Sequence, residues 1–265
     1  MLNIITALPC EAKPLIKHYR LNGRQAENGF RIYEDEQLRL IIAGIGKTAA
    51  AAACAYLQGL DSHHKHAWLN LGIAGHRELA IGEAVMAHKI TDTSTGMSWY
   101  PAMPFKTPCQ TAALLSLDRP NTDYNCDNVY DMEAAGFYST AIRFNSSELV
   151  QVLKIISDNH TNPAGQVSAA QVEQIITAQL TCIDKLIQQL VELTSQQQSA
   201  PDISQFQQRW HFSVSQQHQL QRLLQRWLAH GENKIDPIEL GECKNSKTVI
   251  QTLKQRIDKL PLRFD

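Results

Sequence analysis

Three acidic residues stand where acids can do chemistry. Glu133 lies in Val129-Tyr130-Asp131-Met132-Glu133-Ala134-Ala135-Gly136-Phe137, where the pattern turns helical. Asp158 follows Ser157 at the end of the strand-like run from Leu149 to Ile156. One carboxylate opening a helix and another ending a strand is how α/β enzymes commonly build a site, and such groups can divide proton donation from proton removal. Glu11 follows the first apolar segment and Pro9. Taken singly, each acid has a plainer reading. Glu133 is then only a favourable acid in a first helical turn, Asp158 a helix cap before Asn159 and His160, and Glu11 a surface residue. Met132 alone reads as ordinary core.

The elements that must position these residues follow from periodicity. Residues 2–8 read as a buried strand, and Pro9 leads into a helix near Glu11. Residues 30–35 and 38–43 form a hairpin, with Leu38, Leu40 and Ile42 alternating. Gly44 and Gly46 precede the alanine-rich helix Thr48 to Leu57; there they either let free N–H groups face an anion or polar ligand or simply make a tight turn. Further strands are expected at 67–73, where Gly72 and Gly75 permit close backbone approach, and at 84–90, 112–117 and 149–156. Thr93 to Pro108 reads as a long loop, whose Trp99, Tyr100, Met103 and Phe105 form a lid or a satellite core. Asp131 is expected to cap a helix carrying Met132, Glu133 and Phe137. Val172, Ile175, Ile176, Leu180, Ile183, Leu186, Ile187 and Leu190 predict one long amphipathic helix over 169–193. Strands and helices alternating in this way imply an α/β sandwich.

The chain has 265 residues and a net charge of −1, which gives no general reason to expect nucleic acid or membrane binding. Six cysteines without a C-x-x-C pair suggest reduced thiols. No apolar run approaches the ~20 residues of a membrane span, so a soluble, cytoplasmic protein is expected. His76 and His160 lack paired spacing, and neither metal nor cofactor is expected. Thr194 to Pro201 is Ser/Gln-rich and reads as a linker. This divides the chain into an α/β domain, 1–197, and a small all-α C-terminal extension, 198–265. In the extension Leu220, Leu223, Leu224, Trp227 and Leu228 line one helix, and Val249, Ile250, Leu253, Ile257 and Leu260 another. From residue 200 onward ten Lys/Arg and seven Asp/Glu leave +3. That is too little for a nucleic-acid footprint and suits helices docked on the main domain or on a protein partner.

Four blocks in order resemble the nucleoside phosphorylase and nucleosidase superfamily: Ile4-Ile5-Thr6-Ala7-Leu8-Pro9-Cys10-Glu11, Ala43-Gly44-Ile45-Gly46-Lys47, Leu69-Asn70-Leu71-Gly72-Ile73-Ala74-Gly75, and Met132-Glu133 followed by Ile156-Ser157-Asp158. Each is weak alone, and the order carries the resemblance over roughly residues 1–195. It implies a three-layer sandwich around a mixed central sheet. It also implies a hydrolase that cleaves the N-glycosidic bond of a 5′-modified purine nucleoside, of the methylthioadenosine, adenosylhomocysteine, 5′-deoxyadenosine or futalosine class. By the same resemblance Asp158 would be the general acid at purine N7, Glu11 the base that activates water, and Glu133 the acceptor for the ribose 2′- and 3′-hydroxyls. Met132 would pack on the sugar, and Ile73, Ala74, Gly75, Gly46 and Ser157 would complete the substrate site. The reaction shares the demands of glycoside hydrolysis: an oxocarbenium-like sugar, a protonated leaving group and a deprotonated water.

Phosphorylases of this family carry arginine near the first glycine loop and just before the second glycine motif. The corresponding runs, Ala7 to Lys13 and Leu69 to Gly75, contain none, and Arg77 falls after the motif. Hydrolysis is favoured. A phosphate-dependent phosphorylase and a non-catalytic module that binds a nucleoside or a partner are the alternatives. Ile73 stands where the methylthioadenosine and adenosylhomocysteine nucleosidases usually have a small hydroxyl residue, so Gly-Ile-Ala-Gly looks more like the futalosine hydrolases. The segment from Gly75 to Met132 is also short for the family, and Leu117, Asp118 and Arg119 occupy the region of its usual base-stacking aromatic residue. Family members commonly form homodimers in which a partner loop closes the 5′ end of the pocket, a role open to the Trp99 to Phe105 loop.

Overall fold

The computed structural model describes residues 1–25, 29–61, 65–120, 123–163, 167–196, 201–230 and 235–260. The chain separates into two compact units, Met1–Gln197 and Gln198–Asp265.

The first unit is a mixed α/β sheet flanked by helices. Its strands are β1 (Leu2–Thr6), β2 (Asn22–Gln25), β3 (Arg31–Glu34), β4 (Leu38–Ile42), β5 (Ala67–His76), β6 (Ala84–Asp92), β7 (Ser98–Trp99), β8 (Gln110–Ser116), β9 (Val129–Asp131) and β10 (Val150–Asp158). They run β6-β8-β9-β5-β1-β4-β3-β2, while β10 pairs both β6 and β5. Strands β5, β10, β6, β8 and β9 therefore close into a ring, from which β1, β4, β3 and β2 extend as an open sheet. Strands β1, β4, β5 and β10 are mutually parallel. The segments leaving their C-terminal ends therefore gather on one edge, where parallel sheets place their sites.

Alternation along the strands sorts the core into two layers. On one face Leu2, Ile4, Leu69, Leu71, Leu153 and Ile155 pack with α1 (Pro9–Tyr19), α4 (Ala169–Ala178) and α5 (Leu180–Gln196). On the other, Ile5, Ile41, Trp68, Val150, Val152 and Ile156 pack with α2 (Lys47–Leu60) and α3 (Ala134–Ala141). The alanines of α2 let it lie close, and α3 comes closer still at Gly136. A Cβ there would stand 2.0 Å from the Lys47 carbonyl oxygen, a distance no side chain survives.

Several elements differ from the pattern-based expectations. The helix over 169–193 is two, broken at Gln179, whose side-chain amide donates to the Gly82 carbonyl at 2.7 Å. Apolar spacing alone does not register that break, because both helices keep the same face on the sheet. Asp131 ends β9, and the helix begins only at Ala134, leaving Met132 and Glu133 in the turn before it. Asp131 nevertheless serves the helix start, its Oδ2 accepting from the backbone N–H groups of Glu133 and Ala134. Trp99, Met103 and Phe105 pack on the core, whereas Tyr100 is 65 % exposed.

The second unit contains α6 (Ser204–Gln207), α7 (Val214–Ala229) and α8 (Ser246–Ile257). Ser213 and Asn245 cap the two longer helices. Leu220, Leu223, Leu224, Val249, Leu253 and Ile257 share a core with Phe206 and Phe212. Among the described residues, no helix is long and apolar enough to cross a membrane.

Candidate active site

At the sheet's C-terminal edge lies a cavity of about 180 Å³ whose wall includes Glu11, Ile73, Ala74, Gly75, Met132, Glu133, Ser157 and Asp158. Gly46 is set back behind Glu133, to which it is hydrogen-bonded. Ala7, Leu8, Ile45, Leu117, Arg119, Pro120, Tyr130 and Asp131 complete the wall. Sequence blocks up to about 150 residues apart thus meet because four parallel strands end side by side.

Glu11 is buried, not the surface residue its helix position alone suggests. It turns back across the start of α1, and its Oε2 accepts from the N–H groups of Ala7 and Leu8, both at 2.8 Å. Oε1 accepts from Ile73 N–H at 2.8 Å. A Cβ on Gly72 would come within 2.7 Å of that oxygen, so the glycine gives the carboxylate its room. Burial pushes the Glu11 carboxyl above its ordinary range, against the Lys154 charge and the three N–H donors, which favour the ionised form. Of the roughly four acceptor positions on a carboxylate, the backbone occupies three. The open one is on Oε1.

Glu133 accepts from Gly46 N–H at 2.9 Å through Oε1. The N–H that could have faced a ligand anion is thus taken by a carboxylate of the protein itself. Behind Glu133 stands Lys154, 1 % exposed, with Nζ 2.7 Å from Asp131 Oδ2 and 3.9 Å from Glu133 Oε2. The alternation that sends Val150, Val152 and Ile156 toward α2 and α3 sends Lys154 the same way. Burial disfavours its charge, but attraction to Asp131 and Glu133 outweighs that, and its pKa is raised. Burial pushes Glu133 up to about 6; Lys154 and the Gly46 N–H oppose the rise, while Asp131 and Glu11 add to it.

Asp158 is buried against Gly75, where a Cβ would lie 2.5 Å from Oδ2. Tyr124 donates its hydroxyl to Oδ2 at 2.6 Å and Ser157 donates to Oδ1 at 2.5 Å. His76, next to Gly75, closes a turn: its Nδ1 accepts from Glu78 and Leu79 N–H at 3.0 Å, and its Nε2 lies 3.3 Å from Asp127 Oδ1.

Lys154, Tyr124 and Tyr130 escape a motif-based reading. Lys154 does leave a signal, since a charge inside an apolar strand needs a buried partner. Tyr124 and Tyr130 sit in and beside a turn-rich connection, where local pattern says little.

No family model and no curated protein matches the chain by sequence. Its fold is similar to that of several solved structures. A variant of the Helicobacter pylori 5′-methylthioadenosine nucleosidase with 5′-methylthioadenosine in its active site aligns at a TM-score of 0.58 and 14 % identity, over 71 % of this chain and 98 % of that one. The S. pneumoniae 5′-methylthioadenosine/S-adenosylhomocysteine nucleosidase with a transition-state inhibitor gives 0.55 and 20 %, over 72 % and 99 %. A futalosine hydrolase variant from Helicobacter pylori gives 0.56 and 15 %, over 71 % and 98 %. The chain therefore shares the fold of these solved nucleosidase and hydrolase structures over 71–72 % of its length, with additional chain beyond it.

Proposed function

We propose that the protein hydrolyses the N-glycosidic bond of a 5′-modified purine nucleoside, of the methylthioadenosine, adenosylhomocysteine, 5′-deoxyadenosine or futalosine class, without a cofactor. The observation that carries this reading is that Glu11, Glu133 and Asp158 share one small cavity, each in a different environment. In the proposed reaction a water sits at the open acceptor position of Glu11 Oε1, which takes its proton as it attacks C1′. Glu133 accepts hydrogen bonds from the ribose hydroxyls, and these strengthen as the ring gains positive charge. Asp158 gives a proton to N7, and the departing base keeps the C1′–N9 electron pair. Met132 packs on the sugar. Ile73, Ala74, Gly75 and Ser157 hold the remaining surface, and Gly46 orients Glu133.

Among the described residues, the charged side chains on the cavity wall are Arg119 and the carboxylates of Glu11, Asp131, Glu133 and Asp158. That balance repels phosphate, so water is favoured over phosphate as nucleophile. The same reading has the protein acting in the cytoplasm as a homodimer, with residues 198–265 available to a protein partner.

The test is base release by the purified chain from methylthioadenosine, adenosylhomocysteine, 5′-deoxyadenosine, futalosine, adenosine and inosine, each with and without phosphate. Release without phosphate is expected. Release only with phosphate would assign a phosphorylase, and binding without release a non-catalytic module.

A further inference from the structure

From the connection between β8 and β9, Tyr124 reaches Asp158 with a hydrogen bond. Tyr124 is 4 % exposed and adopts φ +44°, a left-handed conformation that a bulky residue holds only where its surroundings impose it. Its ring meets that of Tyr130 edge-on, with centroids 6.4 Å apart. The Tyr130 hydroxyl in turn clamps the connection, accepting from Cys126 N–H and donating to the Cys126 carbonyl, both at 2.9 Å. His76 holds the same segment through Asp127. Gly75 leaves the space: a Cβ there would come within 3.1 Å of Tyr124 Cε1 as well as onto Asp158 Oδ2. Strain, clamp and missing side chain all serve the 2.6 Å contact between Tyr124 Oη and Asp158 Oδ2.

We propose that Tyr124 is a positioning residue for Asp158: by donating to Oδ2 it reserves Oδ1 as the oxygen through which the carboxyl exchanges a proton with a bound ligand. Ser157 makes this workable, because its hydroxyl lies 2.5 Å from Oδ1 and 3.4 Å from the Ala74 carbonyl. It points at Oδ1 when the carboxyl is ionised and turns to Ala74 when Oδ1 carries the proton. On the nucleosidase reading, which this inference deepens, the Oδ1–H bond breaks as N7–H forms. Asp158 is then left as a carboxylate with both donors on it.

Other ionisable groups around Asp158 are Glu11 on α1, Asp131 and Glu133 before α3 with Lys154 of β10 between them, Tyr130 on β9, His76 on β5 with Asp127, and Arg119 after β8. Among these described groups, none donates a hydrogen bond to Oδ2, the bond that Tyr124 supplies.

The experiment is a ¹³C NMR titration of the aspartate carboxyls in the full chain, with Asp158 assigned by the signal lost in Asp158→Asn. A donor to the ionised form lowers the pH at which a carboxyl takes its proton, so Tyr124→Phe should move the Asp158 midpoint up by ~1 pH unit. 3-Fluorotyrosine at position 124, a stronger donor that keeps the hydroxyl in place, should move it down by a few tenths of a unit, roughly. This second substitution serves if the phenylalanine variant does not fold. A midpoint that stays put, or moves the opposite way, overturns the proposal. Both readouts are independent of turnover. A wild-type chain that releases no base defeats the nucleosidase reading alone, and an unmoved midpoint in an active enzyme defeats this inference alone.

Discussion

Lys154→Met tests whether the buried ammonium holds the site together. Its Nζ is 2.7 Å from Asp131 and 3.9 Å from Glu133. At an effective dielectric near 20 those distances correspond to gross attractions of about 6 and about 4 kcal/mol, offset by the cost of burying the ammonium. Removing it leaves buried carboxylates without their counter-charge, a change that typically destabilises by ~3–5 kcal/mol. For a unit of this size the expected fall in Tm at pH 7 is roughly 10 °C. The loss should also depend on pH. Glu133 titrates near 6 in the fold against an ordinary 4.5. The folded state therefore holds that proton to higher pH than the unfolded chain. Stability from this group is complete below about pH 4.5 and falls by about 2 kcal/mol as pH rises through 6. Without Lys154, which opposes the rise, the penalty at pH 7 grows, and protonating the carboxylate at pH 5 should recover part of the lost Tm. Calorimetric melts of wild type and variant at pH 5 and pH 7 measure both effects. A Tm deficit that is negligible at pH 7, or equal at the two pH values, refutes the electrostatic account.

Asp158→Asn and Glu11→Gln should each lower base release by ~10²-fold or more; near-normal rates would overturn the role given to that residue. Glu11→Gln should also lower Tm, because an amide nitrogen must then face N–H groups of Ala7, Leu8 or Ile73. With Glu133 pushed up to about 6, kcat/KM should fall as pH drops through 6, since the protonated carboxyl loses acceptor capacity; a flat profile from pH 7 to 5 would remove Glu133 from sugar recognition. Gly75→Ala should reduce base release far more than it reduces Tm, because the new Cβ meets Asp158 Oδ2 and Tyr124 at the cavity wall; equal losses in both would mean the contact is structural only.

Local pattern was enough for the strands β1, β4, β5, β6 and β10, the alanine-rich α2, and the acids Glu11, Glu133 and Asp158, because alternation, glycine turns and motif order are properties of neighbours in the chain. The edge strand β2, the three-residue β9 and the break at Gln179 depend on pairing and on contacts with distant segments, so spacing alone did not mark them, whereas the hairpin of β3 with β4 was legible. Chemistry divided in the same way. Residue type said that carboxylates were available, but burial, and with it the raised pKa of Glu11 and Glu133, required distant segments to close over them, β5 on Glu11 and the turn at Gly46 on Glu133. Gly46 was legible as a donor before a helix, whereas only the close approach of α3 at Gly136 put Glu133 on that donor. Lys154 with Asp131, and Tyr124 with Asp158, are partners across the sheet. Their pairing follows from strand register and from space that small residues leave open, and those are decided in three dimensions.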